Sequence, residues 1–195
     1  MTSLNTHAPS RGSMPADAAV CSLSDLTELP RFGLRGSDSA DALQALGYRL
    51  PERPNQAVRQ TDGSWVARLS ATEYLLLGSG DDQGARVAAQ EAEWVQDERR
   101  SYLLPRQDSH AWLQLSGIQC SAVMAKLCGV DLRADAFAVG AVAQTSAARI
   151  NVIAVNVGDE RGPALALLFD RASLSYFTGA VLDAMAEFVA GAPAG

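Results

Sequence analysis

The feature that most constrains this chain is an internal repeat. Phe32-Gly33-Leu34-Arg35-Gly36 can be laid on Leu113-Gln114-Leu115-Ser116-Gly117, with apolar residues and the turn glycine in matching places. Ser39 to Gly47 then falls on Ser121 to Gly129, small residues and terminal glycine included. After each short helix come an extended segment, a strand pair and a longer helix. A repeat of this size predicts two similar supersecondary units packed about a pseudo-twofold axis.

The second copy reads clearly. Trp112, Leu113, Gln114 and Leu115 alternate as a strand does, and Ser116-Gly117 supplies a turn. Val123, Met124, Leu127 and Cys128 recur at helical spacing up to Gly129, and a second apolar run, Phe137 to Val142, leads into Gln144-Thr145. Ile150 to Val157 reads as a β-branched strand, Gly158 to Pro163 as its turn and Ala164 to Phe169 as the returning strand. The final helix carries Leu174, Phe177, Val181, Leu182, Met185, Phe188 and Val189 as an apolar stripe.

In the first copy a strand over Arg31 to Arg35 precedes a short helix with Asp38 and Asp41 at its start, where backbone donors are unpaired. Thr61-Asp62-Gly63 predicts a hairpin between Gln56–Arg59 and Trp65–Leu69, with Trp65, Ala67 and Leu69 on one face. Tyr74 to Leu77 reads as a buried strand, and Ala85 to Arg99 as a helix with Val87, Trp94 and Val95 on its apolar side. These elements predict an α+β fold of two pseudo-repeated sheet-and-helix halves with mainly antiparallel strands. The halves are expected at 19–104 and 105–190, with polar tails at 1–18 and 191–195.

Composition excludes several functions. With 16 basic against 22 acidic side chains the net charge is −6, which argues against nucleic acid or an anionic membrane as the main partner. No apolar run is long enough to cross a bilayer, and the first residues lack the apolar block of a secretory signal. Cys21, Cys120 and Cys128 have no metal-ligand spacing and no obvious pairing, so a reducing, cytoplasmic setting is expected.

Little chemistry is evident. Asp108-Ser109-His110 invites a hydrolase reading, yet adjacent residues on an extended chain point to opposite sides and cannot align as nucleophile, base and orienter. Cys120 and Cys128 fit as buried small hydrophobes. Glu91, Glu93, Asp97 and Glu98 fit a solvated helix face, and no glycine-rich phosphate signature occurs. No catalytic, metal-binding or cofactor-binding residue is assigned. Gln144, Thr145 and Arg149 intrude between two apolar strands. They are either a strand-end turn or a polar cluster facing a ligand or a partner chain, with Arg149 able to grip a carboxylate.

The run Arg31 to Gly36, then Pro54-Asn55, Val66 to Leu69 and Glu73 to Leu77, resembles the gamma subunit of heterotetrameric sarcosine oxidase. In the second half His110 to Gly117, Ala125 to Cys128 and Phe137 to Thr145 resemble it too. The likeness runs from about Val20 to Val189; Asn151 stands where the family would have a small residue or proline. What the resemblance implies is a fold similar to the folate-binding domain of the glycine-cleavage aminomethyltransferase. It also implies a non-catalytic accessory chain that caps alpha, beta and delta subunits. Those subunits are expected to hold FAD, FMN, NAD, tetrahydrofolate and zinc, and the complex to demethylate sarcosine oxidatively and pass the one-carbon unit to tetrahydrofolate. The alternative is a folate-binding one-carbon-transfer protein of the aminomethyltransferase type, using Gln144 and Arg149.

Overall fold

Gly36 and Gly117 make the turns that the repeat predicts, at positive φ of 147° and 117°. Their N–H groups donate to Thr72 O and Pro163 O, both at 3.0 Å, and their carbonyls accept from Ser39 N and Cys120 N, both at 3.2 Å. The counterpart of Ser39 is therefore Cys120, one residue earlier than side-chain similarity suggests. The backbone hydrogen bonds of the turn, not the small side chains after it, set the register.

The structure, a computed structural model, describes residues 20–189; the tails expected at 1–18 and 191–195 lie outside them. Through the first half run β1 (Ser22–Asp25), β2 (Arg31–Arg35), α1 (Ser39–Ala45), β3 (Gln56–Arg59), β4 (Trp65–Arg68), β5 (Glu73–Leu77) and α2 (Ala85–Ala92). Through the second, which starts at the strand matching β1 and so a few residues before the expected boundary at 105, run β6 (Tyr102–Pro105), β7 (His110–Ser116), α3 (Cys120–Ala125), β8 (Val142–Ala147), β9 (Ile150–Asn156), β10 (Ala164–Asp170) and α4 (Leu174–Val189). All strand pairings within the two sheets are antiparallel.

The halves exchange their leading strands. One sheet has the order β1-β7-β10-β9-β8 and the other β3-β4-β5-β2-β6. Thus β1 completes the sheet of the second half, and β6 that of the first. The exchange is symmetric in detail. Ser22 pairs with Ser116 as Tyr102 pairs with Arg35, while Gln119 N donates to Val20 O and Asp38 N to Arg100 O, both at 3.1 Å.

Each sheet buries both faces. Phe32, Leu34, Val66 and Leu76 meet Leu43 of α1 and Val87 of α2 on one outer face. Leu113, Leu115, Val152 and Leu167 meet Val123 of α3 and Phe177 and Val181 of α4 on the other. The inner faces meet each other through Trp65, Ala67, Leu75 and Leu77 against Trp112, Val155, Ala166 and Leu168. The architecture is thus helix, sheet, sheet, helix. Burial on two faces is why Ala111, Trp112 and Leu113 are all covered despite the alternation.

Three local expectations are corrected. The helix expected over 85–99 stops at Ala92, leaving Val95 76 % exposed. Beyond it the Asp97 carboxylate accepts from Arg99 N at 2.9 Å and from the Arg99 guanidinium at 2.8 Å, closing a turn where the helix was expected to continue. Phe137 to Ala141 is a turn, not strand; Asn156 holds it by donating to Phe137 O at 2.7 Å and accepting from Gly140 N through its carbonyl at 2.8 Å. Asp38 does not cap α1 with its side chain. Its carboxylate accepts from Arg100 N at 2.8 Å, tying α1 to the exchanged strand, and that bond holds its pKa below the usual carboxylate value.

Candidate functional site

A cleft of about 840 Å³ opens at the end of the second sheet, lined among others by Ser109, His110, Thr145, Arg149, Asn151 and Asp170. It gathers Gln144, Thr145 and Arg149 in one place. Their roles separate. The Gln144 side chain donates to Asn55 Oδ1 at 2.9 Å and to Leu69 O at 2.6 Å, so it stitches the two halves together. Beside it Val142 N donates to Asn55 O at 3.0 Å and Ala57 N to Gly140 O at 2.6 Å. Thr145 Oγ1 lies 3.9 Å from Cys128 Sγ. The Arg149 guanidinium, by contrast, forms no ion pair among the described residues.

Arg149 is held there by an unusual turn. Ala147 pairs with Ile150, so Ala148 and Arg149 alone connect β8 to β9, at φ of 46° and 66°. Such a connection favours Asn-Gly, and two residues bearing Cβ atoms strain it. Tyr176 of α4 donates from its hydroxyl to Ala148 O at 2.9 Å and fixes the tip. Stability is the expected cost of presenting a guanidinium at the cleft. Arg149→Gly is predicted to raise unfolding free energy by about 1 kcal/mol, read from the urea midpoint. An unchanged or lower midpoint would remove the argument from strain.

Ser109 and His110 touch, contrary to the argument from an extended chain. Residues 107–109 form a turn, and Ser109 Oγ lies 2.8 Å from His110 Nδ1. Burial, then Arg106 and Arg31, lower the His110 pKa, while Asp170 works against them. The imidazole is thus neutral at pH 7. A relay still lacks its third member: Asp108 takes no part, and Asp170, opposite His110 in the β7–β10 pairing, accepts from Ala172 N at 2.9 Å instead. What the cleft presents is a fixed cation with amide and hydroxyl donors around it. A guanidinium placed in this way can pair with a carboxylate.

The residue that sequence reasoning missed is Arg31. It reads as the flank of a strand, yet it is fully buried between the sheets. Its guanidinium donates to Thr27 O and Leu29 O, each at 2.9 Å, to Gln107 O at 3.3 Å and to His110 O. Those carbonyls belong to the two segments that carry the exchanged strands into β2 and β7. Burial first, then Arg171, pull its pKa down to about 10, so it stays charged at neutral pH.

Among the described residues no helix is long and apolar enough to cross a membrane, and no group of three or more His, Cys, Asp or Glu could hold a metal ion.

This is the fold of the glycine-cleavage aminomethyltransferases. It matches aminomethyltransferase T from Bartonella henselae at a TM-score of 0.61 and 15 % identity, over 85 % of this chain and 46 % of that one. The resemblance read from the sequence also stands. The chain is 28 % identical over 176 residues to sarcosine oxidase subunit gamma of Corynebacterium sp. (strain P-1), covering 88 % of this chain and 83 % of that protein. In structure it matches a chain of heterotetrameric sarcosine oxidase from Corynebacterium sp. U-96 at a TM-score of 0.72 and 24 % identity, over 92 % of this chain and 90 % of that one. No family model matches the chain.

Proposed function

We propose that this chain is the gamma-type accessory subunit of a heterotetrameric sarcosine oxidase-type complex, working in the cytoplasm. In this reading the alpha, beta and delta subunits hold FAD, FMN, NAD, tetrahydrofolate and zinc. The complex oxidises sarcosine and passes the one-carbon unit to tetrahydrofolate, and this chain contributes shape, not turnover. The observation that carries the reading is coverage. The likeness runs nearly end to end along a gamma subunit, whereas an aminomethyltransferase is more than twice as long as the part matched.

Sarcosine turnover tests it. The assembly with this chain is expected to oxidise sarcosine, the purified chain alone to show neither activity nor flavin absorbance. Activity or bound flavin in the isolated chain would end the proposal. In the same reading Arg149 meets an acidic group of a neighbouring subunit. Arg149→Glu is then expected to weaken assembly about tenfold or more in a salt-dependent manner.

The second reading, folate binding by this chain, draws on the likeness to an aminomethyltransferase and on the unpaired Arg149. It is disfavoured by the Gln144 amide, already engaged by the first half. Titration calorimetry with tetrahydrofolate is expected to give no heat at millimolar ligand. Heat lost on Arg149→Ala would reverse the order of the two readings.

A further inference from the structure

Ser39 and Ser101 are buried where α1 meets the strand exchanged from the second half, and their Oγ atoms lie 3.1 Å apart. Across the pseudo-twofold their counterparts are Cys120 and Cys21. The correspondence rests on the backbone. Cys21 lies between Val20, whose carbonyl accepts from Gln119 N at 3.1 Å, and Ser22, which pairs with Ser116. Ser101 lies between Arg100, whose carbonyl accepts from Asp38 N at 3.1 Å, and Tyr102, which pairs with Arg35. Cys21 also packs against the core cluster that contains Cys120. Hydroxyls within hydrogen-bond distance at the matched positions show that the two side chains face each other, as a disulfide requires.

We infer that Cys21 and Cys120 are a latent disulfide pair, able to close within one chain and fasten the exchanged strand β1 to the start of α3. Cys128 is not part of it, since its sulfur lies beside Thr145 at the other end of that helix. A hydroperoxide supplies the oxidation. The Cys21 sulfur, the less buried of the two, attacks a peroxide oxygen, the O–O bond breaks, and a first water leaves behind a sulfenic acid. The Cys120 sulfur then attacks the Cys21 sulfur, the S–O bond breaks and a second water departs. Two thiols and one hydrogen peroxide thus give one disulfide and two waters. Burial raises both thiols, Cys120 to about 12, so closure is slow at neutral pH and faster at about pH 9.

The full chain is treated with hydrogen peroxide at about pH 9, under conditions that leave free model thiols short of overoxidation. The expected product is a monomer lighter by two hydrogens, with one of its three thiols still titratable in denaturant and a joined peptide containing Cys21 and Cys120. Its melting temperature is expected to rise by about 5 °C or more, and dithiothreitol to reverse the change. Cys120→Ser should leave no intrachain cross-link. Ser39→Cys with Ser101→Cys, placed on the other side of the pseudo-twofold, should acquire a second one. Cross-linking through Cys128, linkage between chains, or sulfinic acid at Cys21 with no cross-link would each overturn the inference. So would closure of the engineered pair alone.

Discussion

Arg31→Met is expected to cost about 3–5 kcal/mol of stability, because it removes a fully buried guanidinium that ties the two crossing segments together. The substitution leaves the carbonyls of Thr27, Leu29 and His110 without their guanidinium donor, inside a layer that excludes water. Methionine fills most of the volume, so the loss reads mainly as unsatisfied acceptors and not as a cavity. Arg31→Lys is expected to fall between the two, since an ammonium cannot span carbonyls on both segments. Urea unfolding at neutral pH checks it: a midpoint for Arg31→Met within experimental error of the parent would mean that the crossing is held by packing alone.

Gly36→Ala is the second large effect, expected at about 2–4 kcal/mol. At a φ of 147° an L side chain is strained, and the added Cβ would sit on the Arg100 carbonyl oxygen. That carbonyl is the one that accepts from Asp38 N, so the clash falls on the exchange itself. The damage should be lopsided. Hydrogen exchange is expected to speed up first along β6 and α1, while β1 and α3 across the pseudo-twofold keep their protection. Uniform loss across both sheets would show that the halves do not open separately.

How much of this was legible in the sequence follows from where each signal resides. The hairpin at Thr61-Asp62-Gly63, the faces of Trp65, Ala67 and Leu69, and the strand at Trp112 to Leu115 are local, and they hold. The strand exchange was not legible. Ser-Leu-Ser-Asp and Tyr-Leu-Leu-Pro are four residues each, mostly exposed or half-covered, and nothing local says which sheet they join. Arg31 was missed for a related reason: an arginine beside a strand looks solvated until its acceptors, nearly 80 residues away, are brought to it. The stripe of the last helix was mostly right, with Phe177, Val181 and Met185 buried and Leu182 at 46 % exposure facing out.

At the cleft the sequence marked Gln144, Thr145 and Arg149 together, and the fold brings them together. It could not distribute their duties. Gln144 is committed to Asn55 and Leu69 of the other half, contacts invisible without the packing, while Arg149 stands free because an improbable two-residue turn holds it there. The hydrogen bond between Ser109 and His110 arises from the turn at 107–109, which an extended reading of that stretch excluded.

Native mass spectrometry of material purified through a tag on this chain, after co-expression with the alpha, beta and delta subunits, tests most directly the proposal that it is a fitted component of a larger oxidase. One particle holding a single copy of each of the four chains is the predicted result. Recovery of this chain by itself, with the other three assembled and fully active without it, would contradict that place in the complex.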